Sequence, residues 1–172
     1  SDGITSALMI AGYSPTENDV SRLLPVLEKS AGKGKKILII LDDAYQGLNH
    51  EDNIYGDSLF APLSSLHENI LTVKLDGATK EYYGWGLRIG FISFGRKGMT
   101  QNEYSFWEDK AASVIRATLS NVSRLAQEMF LEALQNPKIN SEQQENINLL
   151  ASRFTKIKEE LAAHREYDDR FI

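Results

Sequence analysis

Two largely apolar stretches constrain the fold of this chain more than any other feature. Residues 37–41 read Ile-Leu-Ile-Ile-Leu, and residues 69–75 form a second, mainly apolar run. A strand with one face in water alternates polar and apolar residues, whereas a run that is apolar on both faces is typical of an interior strand in a mostly parallel sheet. A third strand is predicted over residues 89–94, closed by Gly95. Because these strands alternate with helical segments, the sequence predicts an α/β fold.

The first predicted helix has clear start and stop signals. The segment Ser-Pro-Thr-Glu predicts Ser14 as the N-cap, Pro15 at the first helical position and Glu17 at the third. Apolar residues at helical spacing follow and form one apolar face. Gly32 and Gly34 predict the end of the helix, because glycine adopts the left-handed conformation that often closes one.

The chain is predicted to be helical from about Glu103 onward, after a short helix at residues 58–66. One of the later helices stops before Pro137, and either Asn140 or Ser141 is expected to cap the next. Apolar residues recur at helical spacing in both, at Leu125, Met129, Leu131 and Leu134 in the first and at Ile147, Leu150, Phe154, Ile157 and Leu161 in the second. The long final stripe needs a partner to cover it, so we expect the chain to be part of something larger.

The composition excludes several classes of protein. With 172 residues, 42% hydrophobic and 25% charged, the chain has the composition of an ordinary soluble globular protein. A net charge of −5 without a basic stripe argues against nucleic-acid binding, and no apolar stretch has the length of a membrane span. The absence of cysteine rules out disulfides and fits a reducing compartment. We therefore expect a cytoplasmic protein with neither a nucleic-acid nor a membrane partner.

Four side chains capable of chemistry follow or precede the predicted strands. Asp42 and Tyr45 come after the first strand. Lys80 comes after the second, and Arg88 lies just before the third. Open α/β sheets place ligand sites at the carboxyl ends of their strands, so these side chains are expected to lie close together. Their types suit pyridoxal 5'-phosphate, with an amine for its aldehyde, a carboxylate for its ring nitrogen and an arginine for its phosphate.

Simpler interpretations compete with this one. Lys80 could be a solvated loop lysine, and the pair Asp42 and Asp43 could be a magnesium site, although no phosphate-binding loop accompanies it. Residues 32–36 imitate part of such a loop but precede a strand, which favours a solvated turn. The three histidines lack the paired spacing of a metal site, so we predict no metal ligands.

Four segments resemble, in order and spacing, the class I and II aminotransferases, which are fold-type I pyridoxal-phosphate enzymes. The segments are Gly12-Tyr13-Ser14-Pro15-Thr16, Asp42-x-Ala44-Tyr45-Gln46-Gly47, Lys80 followed by Gly86-x-Arg88-x-Gly90, and Ile115-Arg116-Ala117-Thr118-Leu119-Ser120-Asn121. By position, the resemblance implies that Asp42 pairs with the pyridine nitrogen and that Tyr45 hydrogen-bonds the phenolic oxygen. It implies that Lys80 bonds covalently to the cofactor and moves a proton, while Arg88 holds the phosphate. Arg116 matches an arginine that reaches a neighbouring active site in some members, and is a weaker candidate for substrate binding.

The resemblance also implies a function and a domain arrangement. The function is transfer of an amino group between an amino acid and a 2-oxo acid, in a protein expected to be a homo-oligomer. Residues 1–136 correspond to the second half of the family's large, cofactor-binding domain, and residues 137–172 to the long helix that leads to the small domain. A competing interpretation is a non-catalytic, truncated aminotransferase-like module that acts in assembly or binding.

The chain departs from the family pattern at positions that bear on cofactor binding. The asparagine of the family's substrate turn should fall near Met9, where the chain is apolar. The serine often found three residues before the lysine is Gly77, which removes one phosphate contact. The family's phosphate-binding turn, its ring-stacking aromatic and its arginine for the substrate carboxylate fall outside the resemblance. We therefore expect this chain by itself to bind the cofactor weakly and to lack transaminase activity.

Overall fold

A computed structural model describes residues 3–12, 14–51 and 53–164, and its first part is built on a four-stranded sheet. The strands lie side by side in chain order, as β1 (Ser6–Ala11), β2 (Ile37–Asp42), β3 (Ile70–Gly77) and β4 (Gly90–Gly95). The first three are parallel, and β4 runs antiparallel to β3. The three predicted strands and the mostly parallel α/β sheet are therefore confirmed.

The edge strand β1 was not predicted, because only Leu8 and Ile10 of its residues pack against the core. It pairs with β2 along its whole length. Met9, near which the resemblance places the turn asparagine, lies inside this strand, opposite Ile40. Hydrogen bonding to β2 therefore makes this segment part of the sheet rather than part of a turn.

The main core lies between one face of the sheet and two helices, α1 (Glu17–Gly32) and α2 (Phe60–Ser64). Alternate residues of β2 point to this face, and Ile37, Ile39 and Leu41 are buried there. The other buried members of this core are Val20, Leu27, Ala31, Leu59, Leu63 and Ile70. Complete burial of a large aliphatic side chain contributes roughly 1.5–3 kcal/mol. A shift of one residue in the pairing of β2 would turn its apolar side chains away from the core. Burial of these side chains therefore fixes the register of β2, and with it the position of Asp42 at the end of the strand.

The helix α1 begins later than predicted, at Glu17, and Thr16 rather than Ser14 is its N-cap. The Thr16 hydroxyl accepts the N–H of Asp19, and the Asp19 carboxylate accepts the N–H of Thr16 at 3.0 Å. This reciprocal pair is a capping box, which satisfies two backbone groups at the helix start. The predicted end is confirmed, because α1 stops at Gly32.

A contact with a distant loop explains why the helix does not start at Ser14. Thr16 forms an isolated antiparallel β-bridge with Ile54, and the N–H of Tyr55 donates to the carbonyl of Pro15 at 2.8 Å. These contacts keep the segment extended as far as Thr16, so the helix begins only after it.

The helix α2 is shorter than the predicted 58–66 and tightly packed. Pro62 is its third residue, where the N–H that proline lacks would have no partner within the helix. A Cβ built on Gly95 at the end of β4 would lie 2.6 Å from the Cβ of Ser64. Because no side chain fits there, the glycine that closes the third predicted strand permits α2 to lie directly on the sheet.

In the described part of the chain after the sheet there are three helices: α3 (Gln101–Thr118), α4 (Arg124–Gln135) and α5 (Ile139–Ala163). The first starts close to the predicted Glu103, and the second stops before Pro137 as predicted. The start of α5 was predicted wrongly, because the helix begins ahead of Asn140 and Ser141. Its cap residue is Lys138, which makes no side-chain capping bond.

The apolar residues that mark α4 in the sequence do not form its buried face. They are all exposed, namely Leu125, Met129, Leu131 and Leu134. Ala126 and Phe130 are buried instead. The Phe130 ring packs 5.2 Å from that of Tyr82 and 5.9 Å from that of Phe91, measured between centroids. These aromatic contacts select the buried side of the helix.

The chain divides into two compact units, of which the first ends at Phe130 and the second begins at Leu131. In the second unit, the helix α5 contains no buried residue. The domain division predicted at residue 136 concerns the family's large and small domains and stays a prediction. Tyr13 of the first resembling segment, and residues 165–172 of the predicted second domain, lie outside the described residues.

Candidate active site at the carboxyl ends of two strands

The ends of β2 and β3 bring two polar turns to one edge of the sheet. Asp42 is the last residue of β2 and lies opposite Leu75 of β3. The strand β3 ends at Gly77, and the turn after it carries Lys80. Because the two strands are parallel and paired in register, both turns leave the sheet at the same edge.

Asp42 lines two cavities. One, of about 240 Å³, is also lined by Thr79 and Arg88, and the other, of about 630 Å³, is also lined by Tyr45. The Asp42 side chain is half-buried, and one of its carboxylate oxygens accepts the N–H of Ala44 at 3.3 Å. Within the part of the chain that the structure describes, Asp42 makes no ion pair. Its negative charge is therefore available to a ligand.

Lys80 and Tyr45 meet across the two turns. The Lys80 ammonium nitrogen lies 5.2 Å from the centroid of the Tyr45 ring, within the range of a cation–π contact. Lys80 is half-buried, and Tyr45 is 61% exposed. A hydrogen bond of 2.8 Å from the N–H of Gly84 to the carbonyl of Ala78 closes the turn around Lys80. The amine thus lies over the turn that follows β2.

Arg88 returns the chain to the same edge. It follows a short 3-10 helix at Trp85–Leu87, has a left-handed backbone with φ of +55°, and donates from Nη1 to the carbonyl of Trp85 at 3.4 Å. Its neighbour Ile89 is buried, and the Ile89 carbonyl accepts the N–H of Ala78 at 3.3 Å. A left-handed residue other than glycine needs such support from its surroundings. Arg88 therefore lines the smaller cavity from a well-anchored position.

Gly77 lies too close to the chain before β4 to carry a side chain. A Cβ built on it would lie 2.9 Å from the carbonyl oxygen of Ile89. The absence of a serine at this position therefore follows from packing. The sequence did not single out Thr79, which lines the same cavity as Arg88. In the sequence, the only indication of a role for Thr79 was its position directly before Lys80.

Asp43, the neighbour of Asp42, belongs to a separate group of charges that the sequence did not reveal. Its carboxylate accepts the Ser58 hydroxyl at 2.5 Å and lies 3.8 Å from the Lys74 ammonium nitrogen. Lys74 in turn lies 2.6 Å from the Asp76 carboxylate. Because successive residues of an extended chain point to opposite sides, two adjacent carboxylates acquire different partners.

Burial and charge shift the pKa values in this group. Desolvation works to lower the pKa of Lys74, but the hydrogen bond and charge of Asp76, with the charges of Asp43 and Glu81, raise it above its ordinary value. Desolvation, and then the charge of Asp76, raise the pKa of Glu81. Desolvation, and then the charge of Glu81, raise the pKa of Tyr82. Lys74 is therefore a protonated lysine bound between carboxylates, unlike an amine that acts as a nucleophile.

Arg116 makes hydrogen bonds at the end of its own helix. It lies in the last turn of α3 and lines neither cavity beside Asp42. Its guanidinium donates to the backbone carbonyl and the hydroxyl of Ser120, at 3.4 and 3.3 Å. Its weaker assignment to substrate binding stays a prediction.

The described residues, 3–12, 14–51 and 53–164, contain neither a metal-binding cluster nor a membrane-spanning helix. In these ranges no three His, Cys, Asp or Glu side chains are grouped as a metal site requires, so Asp42 and Asp43 have no third ligand of these types there. In the same ranges no helix has both the length and the apolar character needed to cross a membrane.

Comparison with known proteins finds matches to one family. The sequence profile described as aminotransferase class I and II matches residues 15–169. A probable aspartate/prephenate aminotransferase from Aquifex aeolicus is 32% identical over 104 residues, an alignment that covers 59% of this chain and 23% of the relative.

Solved aminotransferase structures share the fold. An aminotransferase from Anaerococcus prevotii matches with a TM-score of 0.74 at 22% identity, covering 98% of this chain and 42% of that one. An aromatic-amino-acid aminotransferase from Burkholderia pseudomallei, covalently bound to pyridoxal phosphate, matches with a TM-score of 0.61 at 17% identity, covering 87% of this chain and 37% of that one. The chain therefore spans less than half the length of each of these relatives.

Proposed function

Because the chain belongs to the class I and II aminotransferase family, we propose that it serves the pyridoxal-phosphate-dependent transfer of an amino group between an amino acid and a 2-oxo acid. The observation that carries the proposal is that four side chains lie in two pairs at one sheet edge. Asp42 and Arg88 line one small cavity, and Lys80 lies over the ring of Tyr45. The covalently bound pyridoxal phosphate of the Burkholderia pseudomallei relative supports the same cofactor here.

The donor set at this edge fits the cofactor. Pyridoxal phosphate presents an aldehyde, a ring nitrogen, a phenolic oxygen and a phosphate. The chain offers a suitable partner for each, namely the Lys80 amine, the Asp42 carboxylate, the Tyr45 hydroxyl and the Arg88 guanidinium. When bound, the cofactor supplies an electron sink for the negative charge that develops on the substrate's α-carbon.

Asp42, Arg88 and Thr79 are the residues that would hold and orient the cofactor. The Asp42 carboxylate, which has no ion-pair partner among the described residues, favours a protonated ring nitrogen because a nearby negative charge stabilises the charged form. The Arg88 guanidinium suits a phosphate because it can donate two parallel hydrogen bonds. Thr79 adds a hydroxyl on the same cavity, where Gly77 has none.

Lys80 is the residue expected to bond to the cofactor and to carry a proton between substrate and cofactor. A lysine in this role must be able to give up its proton. Lys74 is a poorer candidate, because its ammonium is bound by Asp76 at 2.6 Å. Lys80 makes no ion pair within the described residues, and its described contact is with the ring of Tyr45.

Borohydride labelling tests this role. The full chain, supplemented with an aminotransferase fragment that supplies the parts of the family's fold outside the resemblance, is mixed with one equivalent of pyridoxal phosphate, reduced with borohydride and mapped by mass spectrometry. We expect the label on Lys80, its loss in Lys80→Ala, and its retention in Lys97→Ala, a matched change at an exposed lysine after β4. A label on Lys74 would refute the assignment. A chain that takes no label on Lys80, even beside an active aminotransferase of the family, would favour the non-catalytic module instead.

The finer properties proposed with this function are a cytoplasmic location, a homo-oligomeric state and the family's domain arrangement, with residues 1–136 in the large domain. A reducing compartment suits a chain without cysteine. The two substrates are proposed as an amino acid and a 2-oxo acid, as in the family.

A further inference from the structure

Lys74 carries a charge at the sheet edge that the proposed chemistry does not use. It lies in β3, opposite Leu41 of β2 and Ser93 of β4. Its side chain is only 20% exposed. Partial burial of an ammonium group is unfavourable unless the charge is paired and hydrogen-bonded. The partners of Lys74 therefore indicate why a lysine is placed there.

Lys74 joins two carboxylates that belong to different turns. We call residues 42–47, which begin with the last residue of β2, the first turn, and residues 77–84, which begin with the last residue of β3, the second turn. Asp43, at 3.8 Å from the Lys74 nitrogen, lies in the first turn. Asp76, at 2.6 Å, directly precedes the second turn. One ammonium group thus bridges the starts of both turns.

Each carboxylate also has a second partner. Asp76 accepts the N–H of Gly77 at 2.8 Å, and Asp43 accepts the hydroxyl of Ser58 at 2.5 Å. The side chains of Asp43 and Asp76 are 15% and 21% exposed. A charge network at such low exposure is screened less by salt than a surface pair. The bridge is therefore continuous from Gly77 to Ser58.

We propose that Lys74 is a positioning residue, which holds the first turn at a fixed separation from the second turn and thereby sets Asp42 against Lys80. Its importance for chemistry rests on the proposed function, but the bridge itself requires no cofactor. Without the ammonium group, the carboxylates of Asp43 and Asp76 repel each other, and the two turns lose their common anchor.

Hydrogen–deuterium exchange of the full chain tests the bridge in the absence of cofactor. Lys74→Met keeps the length of the side chain and removes its charge. We expect amides in both turns to exchange about tenfold faster in this variant, because a charged hydrogen bond at a partly buried place is lost. Lys74→Arg keeps the charge and should restore slow exchange. Lys97→Met, at an exposed position, should leave both turns unchanged.

Two further variants separate the two arms of the bridge. Asp43→Asn should speed exchange mainly in the first turn, and Asp76→Asn mainly in the second turn. These two variants test the bridge even if Lys74→Met does not fold. Faster exchange spread evenly over the whole sheet, or no change in either turn, would overturn the inference, because the ion pairs would then contribute general stability or nothing.

A second readout connects the bridge with the proposed site. The rate at which Lys80 takes the borohydride label should fall about tenfold in Lys74→Met and recover in Lys74→Arg, as expected of a group that acts through a neighbour. No label on Lys80 in the unchanged chain, even beside an active aminotransferase of the family, would refute the proposed function, and the exchange results would still decide the bridge. Normal labelling together with unaltered exchange in Lys74→Met would refute the bridge and leave the proposed function standing.

Discussion

Asp42 and Asp43 are neighbours with different surroundings. Asp42 lines a cavity with Arg88 and has no ion-pair partner among the described residues. Asp43 is bound by Ser58 and lies near Lys74. A ligand can therefore use the charge of Asp42, whereas the charge of Asp43 is already compensated within the protein.

Asp42→Ala is expected to lower the kcat/KM of transamination roughly hundredfold to thousandfold, which is typical when a preorganised charge is removed from a site. Asp43→Ala acts only through its neighbours and is expected to lower it about tenfold. Steady-state kinetics measure both on the chain supplemented with the parts of the family's two domains that fall outside the resemblance. A greater loss for Asp43→Ala would show that the strand register assigned to the site is wrong.

The charges around Lys74 predict how stability depends on pH. Desolvation works to lower the pKa of Lys74 in the folded chain, but Asp76, Asp43 and Glu81 raise it above its ordinary value. Its contribution to stability is therefore fully present below the ordinary value of 10.5 and is lost as pH rises through the higher folded value. The pKa of Tyr82, raised first by desolvation, acts in the same direction.

Urea unfolding over a series of alkaline pH values measures this dependence. We expect the free energy of unfolding to fall as pH rises above about 10, and to fall less steeply in Lys74→Met, which has no ammonium group to titrate. An equally steep fall in the variant would contradict the role given to Lys74 and leave Tyr82 as the cause.

At the scale of structural elements, close backbone packing fixes the turn after β3. A Cβ on Gly77 would meet the Ile89 carbonyl at 2.9 Å, and one on Gly84 would meet the Ala78 carbonyl at 3.1 Å. Both contacts are with backbone, which cannot move aside as the end of a flexible side chain can. The glycines therefore permit the close approach that brings Lys80 and Arg88 to one edge.

Gly77→Ser restores the family's usual residue but is expected to destabilise this chain. An overpacked position costs roughly 1–3 kcal/mol. Gly86→Ser is the matched control, because a Cβ there meets nothing within 4 Å, and it should change the free energy of unfolding by about 0.5 kcal/mol or less. Urea unfolding of both variants compares them. Equal effects would mean that the backbone beside Gly77 yields to a side chain.

At the scale of the whole molecule, the first compact unit exposes several large apolar side chains. Leu119, Leu125 and Met129 are 69%, 72% and 53% exposed, and all three line an open cavity of about 460 Å³. Contiguous exposed apolar surface drives association of proteins in water. Among the described residues, no further strand pairs with the outer edges of β1 and β4, and open sheet edges favour the same outcome.

We expect the chain to be oligomeric in solution, as light scattering would show. Leu125→Glu places a charge on the apolar surface and should lower the average mass. Val26→Glu, at a residue of α1 that is 62% exposed, is the control and should leave it unchanged. A monomer of the unchanged chain would contradict the expectation of self-association.

Residue type and local periodicity were sufficient to predict three of the four strands in the described sheet, and its polar edge. The strands β2, β3 and β4 lie close to their predicted positions. Buried strands such as β2 and β3 are apolar whatever packs on them, whereas β4 is a largely exposed edge strand that happens to be apolar. Asp42 and Lys80 were predicted to share an edge, since parallel strands that pair in register end together. Arg88, also predicted to lie there, reaches that edge because β4, which it precedes, runs antiparallel to β3. Their catalytic and binding roles stay predictions drawn from chemistry and family resemblance.

Only the tertiary structure decided which distant groups meet. The start of α1 depends on a bridge from Thr16 to Ile54, the buried side of α4 depends on aromatic rings from the sheet region, and the pairing of Lys74 with Asp43 depends on the alignment of two strands. A sequence pattern shows the period and polarity of neighbouring residues. It contains no measure of which atoms, far apart along the chain, come within a few ångströms of each other, and those contacts decide helix ends, buried faces and ion pairs.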